Sequence, residues 1–336
     1  MSDVRSMANR MAAVSGPASD ATDALATLHS LCEALRRASL DVVWRQWGAL
    51  GGMTAVSQRA TSLVDPEALV LFSLRLVPSE PRLAGVVGDW VALNSDVLSV
   101  QRMRNLSGDY PPEVRAGLAD LARVALQEGK DHRWKSMLAG RSDGSAPEFV
   151  RRGAKRRAVR VEVGEPAALV LRLRLAFGVG IKADVLALLL GRADDEWTEV
   201  SAVARSTGYT VAAVRKAIDD LAEAQFIERG SDARAEYRAS RASWRKLLGG
   251  AEARPWCGWH ERFVFGAAFF DWASEVKGRP LTAYVLQSQG RTLIERHHAA
   301  FRYQHGWLQS DDASQEKDHQ LSSAIHSLAV WMQQHV

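Results

Sequence analysis

Apolar residues recur at helical spacing along most of the chain. Leu25, Leu28, Leu31, Leu35 and Ala38 predict an amphipathic helix over 24–40. Val42, Val43, Trp44, Trp47 and Leu50 continue a buried stretch that Gly51-Gly52 breaks. Asp65-Pro66-Glu67 starts a helix, with Asp65 as N-cap and Pro66 in its first turn, and Leu69, Phe72, Leu74 and Leu76 carry it to Pro78. Pro81 opens another, which Asn94-Ser95-Asp96 ends. Val97 to Val100 fits a short strand or the start of the next helix. Further helix is predicted over 112–139, through Val114, Leu118, Leu121 and Val124. Residues 1–21 are polar and small and read as a disordered tail, so 22–139 reads as an all-helical domain.

The middle of the chain changes pattern. Pro166 opens a helical region that Phe177 to Lys182 interrupts, and a helix over 180–190 ends at Gly191. Thr198 caps a short helix with Val200, Val203 and Ala204 inward. Gly208 follows four residues after Ala204, where a tight turn needs a residue that tolerates positive φ. Thr210 caps a second helix with Val214, Ile218 and Leu221 inward, ending near Ala224. Phe226 and Ile227 begin a strand, Gly230-Ser231-Asp232 turns it, and Glu236-Tyr237-Arg238 returns. Helix, turn, helix and hairpin is the order of a DNA-reading module.

The stretch 198–240, with TVAAVRKAIDDLAEAQFIER at its centre, resembles the winged helix-turn-helix of bacterial transcriptional regulators. The resemblance, centred on this stretch, covers the roughly eighty residues of 165–242 and implies sequence-specific binding of double-stranded DNA. A weaker resemblance runs from Asp65-Pro66-Glu67 through Asp89-Trp90 to Ser99–Arg104. It is to the N-terminal half of bacterial proteins that carry a winged helix further on, and it brings no activity with it.

Outward positions near the start of the second helix are Tyr209, Thr210, Val211, Ala212, Arg215 and Lys216. Arg215 suits bidentate reading of guanine, and Lys216 suits phosphate. The hairpin adds Arg229, Arg234 and Arg238, of which Arg234 adjoins the tip. Residues 140–164 form a glycine-rich linker with a basic cluster, Arg151, Arg152, Lys155, Arg156, Arg157 and Arg160. The cluster either grips the DNA backbone or is a solvated, self-repelling linker. Residues 243–336 turn aromatic: Trp244, Trp256, Trp259, Phe269, Phe270 and Trp272 among others. They suit core packing, an effector pocket or a dimer interface.

Composition adds limits. Hydrophobic residues make up 47% and the formal charge is +4, which permits a nucleic-acid partner without demanding one. The start of the chain lacks the apolar core of a secretion signal, and the longest apolar stretch, Ala167 to Val179, is interrupted by Arg172 and Arg174. A cytoplasmic protein without membrane contact is expected. Cys32 and Cys257 match no zinc or redox spacing. His297, His298 and His305 form the main histidine cluster, but His298 has no acidic or cysteine ligand three or four residues on, so no metal is expected. No phosphate loop, nucleophile elbow or zinc-protease motif occurs, so neither an enzyme nor a cofactor is expected.

The expected fold is mainly α. It has a helical N-terminal domain (22–139), a linker (140–164), a central winged helix-turn-helix with a short β-hairpin wing (165–242) and a helical, tryptophan-rich C-terminal domain (243–336). The expected function is transcription regulation by a homodimer, open to a small-molecule or protein effector. The alternatives are a protein-interaction module, such as an antitoxin-like or defence-system partner, and an enzyme without a recognisable motif.

Overall fold

The computed structural model describes residues 17–52, 60–138, 160–193, 196–230, 235–248, 253–277, 279, 282–302 and 320–336. It is mainly helical with one small antiparallel sheet. The helices are α1 (Pro17–Ala49), α2 (Pro66–Leu76), α3 (Arg82–Asn94), α4 (Val100–Ser107), α5 (Pro112–Gln127), α6 (Leu169–Phe177), α7 (Ile181–Leu190), α8 (Val200–Thr207), α9 (Val211–Glu223), α10 (Arg241–Trp244), α11 (Trp259–Val276), α12 (Ala283–Arg296) and α13 (Gln320–His335). The strands are β1 (Thr198–Glu199), β2 (Glu228–Arg229) and β3 (Glu236–Arg238), in the order β1-β3-β2. No helix among the described residues is long and apolar enough to cross a membrane.

Several elements differ from the sequence expectation. Helix α1 begins at Pro17, inside the stretch read as a tail, and runs unbroken to Ala49. Ala24, Leu28, Leu31, Leu35, Ala38 and Val42 lie along one buried stripe with no breaker between them. The ambiguous 97–100 stretch is a 3-10 turn (Ser95–Val97) followed by α4, which Ser99 caps by accepting the Arg102 N–H at 3.2 Å. Thr198 is not a helix cap. It lies in β1 opposite Tyr237, and α8 starts after Glu199. A two-residue strand is too short to show alternation, so only its partner reveals it.

The aromatic C-terminal helices do not build a core of their own. Phe263, Phe265, Phe269 and Phe301 share one core with Leu35, Trp47, Phe72 and Trp90. Helix α2 crosses that core, and every residue in it except Arg75 is buried, as befits a helix apolar on all sides. Phe72 stacks on Phe263 of α11 with ring centroids 4.4 Å apart. A second core gathers α6, α7, α8, α9 and Tyr237 of β3.

The two cores meet at a buried charge cluster. Arg102 of α4 donates to both carboxylate oxygens of Asp65 (2.5 and 2.6 Å), to Glu67 (2.8 Å) and to the Thr207 carbonyl (2.7 Å). Arg174 of α6 donates to both oxygens of Glu67 (2.6 and 2.9 Å) and both of Asp184 (2.7 and 3.0 Å). The Ser99 N–H donates to Glu67 at 2.8 Å, and the Ala68 N–H to Asp65 at 3.2 Å. All five charged side chains are almost fully buried. Three carboxylates face two guanidiniums, and backbone N–H groups at the positive N-terminal ends of α2 and α4 help to offset the remaining charge. Burial by itself would raise the Glu67 carboxyl. The Arg174 charge and hydrogen bonds, the Arg102 charge and the Ser99 N–H outweigh it and hold the carboxyl at about 2.

The cluster makes stability acid-sensitive. A carboxyl held below its ordinary 4.5 contributes fully above that pH, and the contribution is lost as pH falls toward about 2. Urea midpoints should therefore drop between pH 6 and pH 3, and Glu67→Gln should lower the pH 6 midpoint while flattening that drop. Arg174→Leu, which takes from Asp184 its hydrogen-bonded guanidinium and from Glu67 one of two, should cost about 3–5 kcal/mol at neutral pH. An Arg174→Leu midpoint equal to the parent's would contradict the energetic role of the cluster.

Candidate nucleic-acid interface

The turn between α8 and α9 is built around Gly208, whose φ of +73° is the left-handed conformation expected from its position. A Cβ there would also collide with the Leu106 side chain of α4. The turn is fastened to α4 from below. Arg102 binds the Thr207 carbonyl, and the Asn105 amide donates to the Gly208 carbonyl at 3.0 Å. Thr210 then caps α9, its hydroxyl accepting the Ala213 N–H at 3.3 Å. Val214, Ile218 and Leu221 face the second core.

Five of the residues anticipated on the outer face of this helix are exposed there: Thr210, Val211, Ala212, Arg215 and Lys216. Tyr209 is not. Its ring is buried, and its hydroxyl donates to Asp184 at 2.8 Å and lies 3.3 Å from the Ser99 hydroxyl. Burial and the neighbouring Asp184 charge raise its pKa, so the phenol stays protonated as a donor. Tyr209 therefore ties the turn to the charge cluster and presents nothing to a ligand. Its place just before the cap suggested exposure, but the apolar ring fits the second core.

The exposed face of α9 is graded in charge. Arg215 and Lys216 occupy its first half, and neither forms an ion pair among the described residues. Asp219, Asp220 and Glu223 occupy its second half. Asp219 accepts from Arg229 at 2.6 Å, and Asp220 pairs with Lys182 at 2.8 Å. The hairpin arginines are engaged locally. Arg229 also lies over the Tyr237 ring at 5.5 Å. Arg238 pairs with Glu228 at 2.7 Å and lies over the Trp197 ring at 4.6 Å. Such exposed pairs are worth at most about 1 kcal/mol, so an anionic partner exchanges them at small cost. Arg234, and the cluster Arg151, Arg152, Lys155, Arg156 and Arg157, lie outside the described residues. Arg160 pairs with Asp96 at 2.7 Å.

A second surface feature lies past the other end of α9. Phe177, Phe226 and Trp244 form a three-ring cluster with centroids 5.5–6.0 Å apart. Phe177 and Phe226 are each more than a third exposed, and Leu175 is 60% exposed. Helix α9 is roughly 20 Å long at 1.5 Å per residue, which separates the cluster from the cap at Thr210. Phe269, Phe270 and Trp272, which the sequence offered as a dimer interface, lie elsewhere. Phe269 is fully buried, Phe270 and Trp272 pack on the first core, and Trp272 donates to Gln289 at 3.0 Å.

No group of three or more potential metal ligands occurs among the described residues. His298 instead lies 3.2 Å from Arg302. No protein-family model matches the chain, and neither curated proteins nor solved structures give a match.

Proposed function

We propose that the protein is a sequence-specific DNA-binding transcriptional regulator, with α7, α8 and α9 and the β1-β3-β2 sheet acting as a winged helix. The observation that carries this reading is the first half of α9. It is capped by Thr210, exposed, and bears Arg215 and Lys216, neither in an ion pair among the described residues, with Asp220 the carboxylate that the Lys216 charge reaches. A recognition helix enters the major groove by its N-terminal residues. The acidic second half of α9 would be repelled by phosphate, which favours the same direction of entry. Val211 and Ala212 offer apolar contact to thymine methyl groups, and Arg215 a bidentate contact to guanine.

One recognition helix covers few base pairs, so we propose a homodimer on paired half-sites. The cluster of exposed Phe177 and Phe226 with half-buried Trp244 is the apolar surface best suited to join two copies. The same cluster favours a second reading, in which the protein docks a different protein and does not read DNA.

Binding to the protein's own upstream DNA tests the first reading, with random DNA as control. Arg215→Ala should weaken the specific complex and relax preference at one base pair by about 1–3 kcal/mol. Unchanged preference removes Arg215 as a base reader. Replacing Arg151, Arg152, Lys155, Arg156 and Arg157 with alanine should weaken binding to all sequences alike. Each lost phosphate contact should flatten the slope of log K against log salt by about 0.9. An unaltered slope makes the cluster a solvated linker.

Light scattering at micromolar concentration addresses the dimer. The full chain should have twice the mass of one copy, and Phe226→Ser with Trp244→Ser should return it to one. A monomeric parent removes the dimer. No DNA retardation at low salt, from a folded monomer, leaves the protein-docking reading.

A further inference from the structure

On the far side of the first core, the amino-terminal half of α1, the end of α2 and the end of α11 enclose an open groove of about 600 Å³. That volume is in the range of small-molecule sites. Its floor is apolar: Leu28, Cys32, Leu76, Phe270 and Ala273. Burial pushes the Cys32 thiol up to about 11, so it remains a neutral, apolar wall.

The ionisable side chains along the rim are all basic: His29, Arg36, Arg75 and Lys277. The hydroxyls of Ser79 and Ser274 complete it, and no carboxylate lines the groove. Arg36 pairs with Glu33 at 2.6 Å, and Arg75 pairs with Asp271 at 2.5 Å. Each guanidinium keeps N–H donors beyond its pair. Lys277 forms no ion pair among the described residues. Glu33 and Asp271 neutralise Arg36 and Arg75, so Lys277 supplies the net positive charge of the rim, and an apolar trough with such a rim is complementary to an amphiphile with a negative head.

We propose that this groove binds an apolar carboxylate of ligand size, its chain along Leu28, Cys32 and Phe270 and its head at Lys277 beside Arg36 and Arg75. The site is independent of the DNA-reading surface, and binding can be measured without DNA.

Calorimetric titration of the full chain with dodecanoate, below its micelle concentration, tests the assignment. Dodecanol and dodecyltrimethylammonium supply the same chain with a neutral and a cationic head. Dodecanoate should bind in a saturable one-to-one manner, at least about tenfold tighter than dodecanol, with the cation weaker still. Lys277→Glu should weaken dodecanoate by about fivefold or more while leaving dodecanol unchanged. Ser274→Trp, which fills the groove from an exposed position, should abolish binding with an unchanged circular-dichroism spectrum. If Ser274→Trp fails to fold, Ser79→Trp, at the other exposed serine of the rim, serves in its place. Absence of dodecanoate binding, equal binding of all three amphiphiles, or full binding by folded Ser274→Trp overturns the proposal. So does full binding by folded Ser79→Trp.

Discussion

Glu67 is the point on which the architecture turns. It sits in the first turn of a helix buried on every side, and it receives guanidinium groups from two different helices, Arg102 of α4 and Arg174 of α6. A carboxylate in that position is tolerable only if its partners are present and well aligned, because the desolvation cost of each ion is several kcal/mol. Arg174 continues to Asp184 of α7, and Arg102 to Asp65 and the Thr207 carbonyl. The cluster therefore fixes the relative placement of α2, α4, α6, α7 and the turn before α9. Apolar packing would tolerate a family of sliding arrangements between two cores. Paired guanidiniums and carboxylates accept few.

That constraint bears on the candidate interface. The turn that sets the direction of α9 has both of its carbonyls, Thr207 and Gly208, held by α4, and Tyr209 is held by Asp184. The exposed half of α9 is thus anchored, through this turn, to α4 and the charge cluster. Preorganisation of this kind lowers the ordering cost of binding. Helix α2 carries the constraint further. Its first turn holds Asp65 and Glu67 at the charge cluster, and its last turn places Arg75 and Leu76 in the apolar groove, so a single buried helix connects the two regions.

The periodic elements were legible in the chain. The amphipathic stripes of α1, α5 and α9, the Asp65 cap, the left-handed Gly208 and the Thr210 cap all follow from local rules, because each depends on residues within a turn of one another. The exposure of Arg215 and Lys216 followed from the same spacing. The charge cluster also left a trace, though a weaker one: Glu67, Arg174 and Asp184 are each one of two charges in helices otherwise almost entirely apolar. Arg172 and Arg174 argued against a membrane span, but the sequence does not name the partners of these charges.

Long-range geometry decided the rest. Thr198 became a strand because β3 lies beside it, and Tyr209 turned inward because Asp184 and the second core offer a better environment than water. The aromatic C-terminal helices joined the first core because α1 and α2 present matching apolar faces, which no local pattern in residues 243–336 encodes. Arg238 and Arg229 acquired acidic neighbours, across the sheet and from α9. Local spacing determines which residues form helices and which faces are apolar. Which faces meet, and which charges pair, is fixed by contacts between residues tens to hundreds of positions apart, and only the folded chain brings those together.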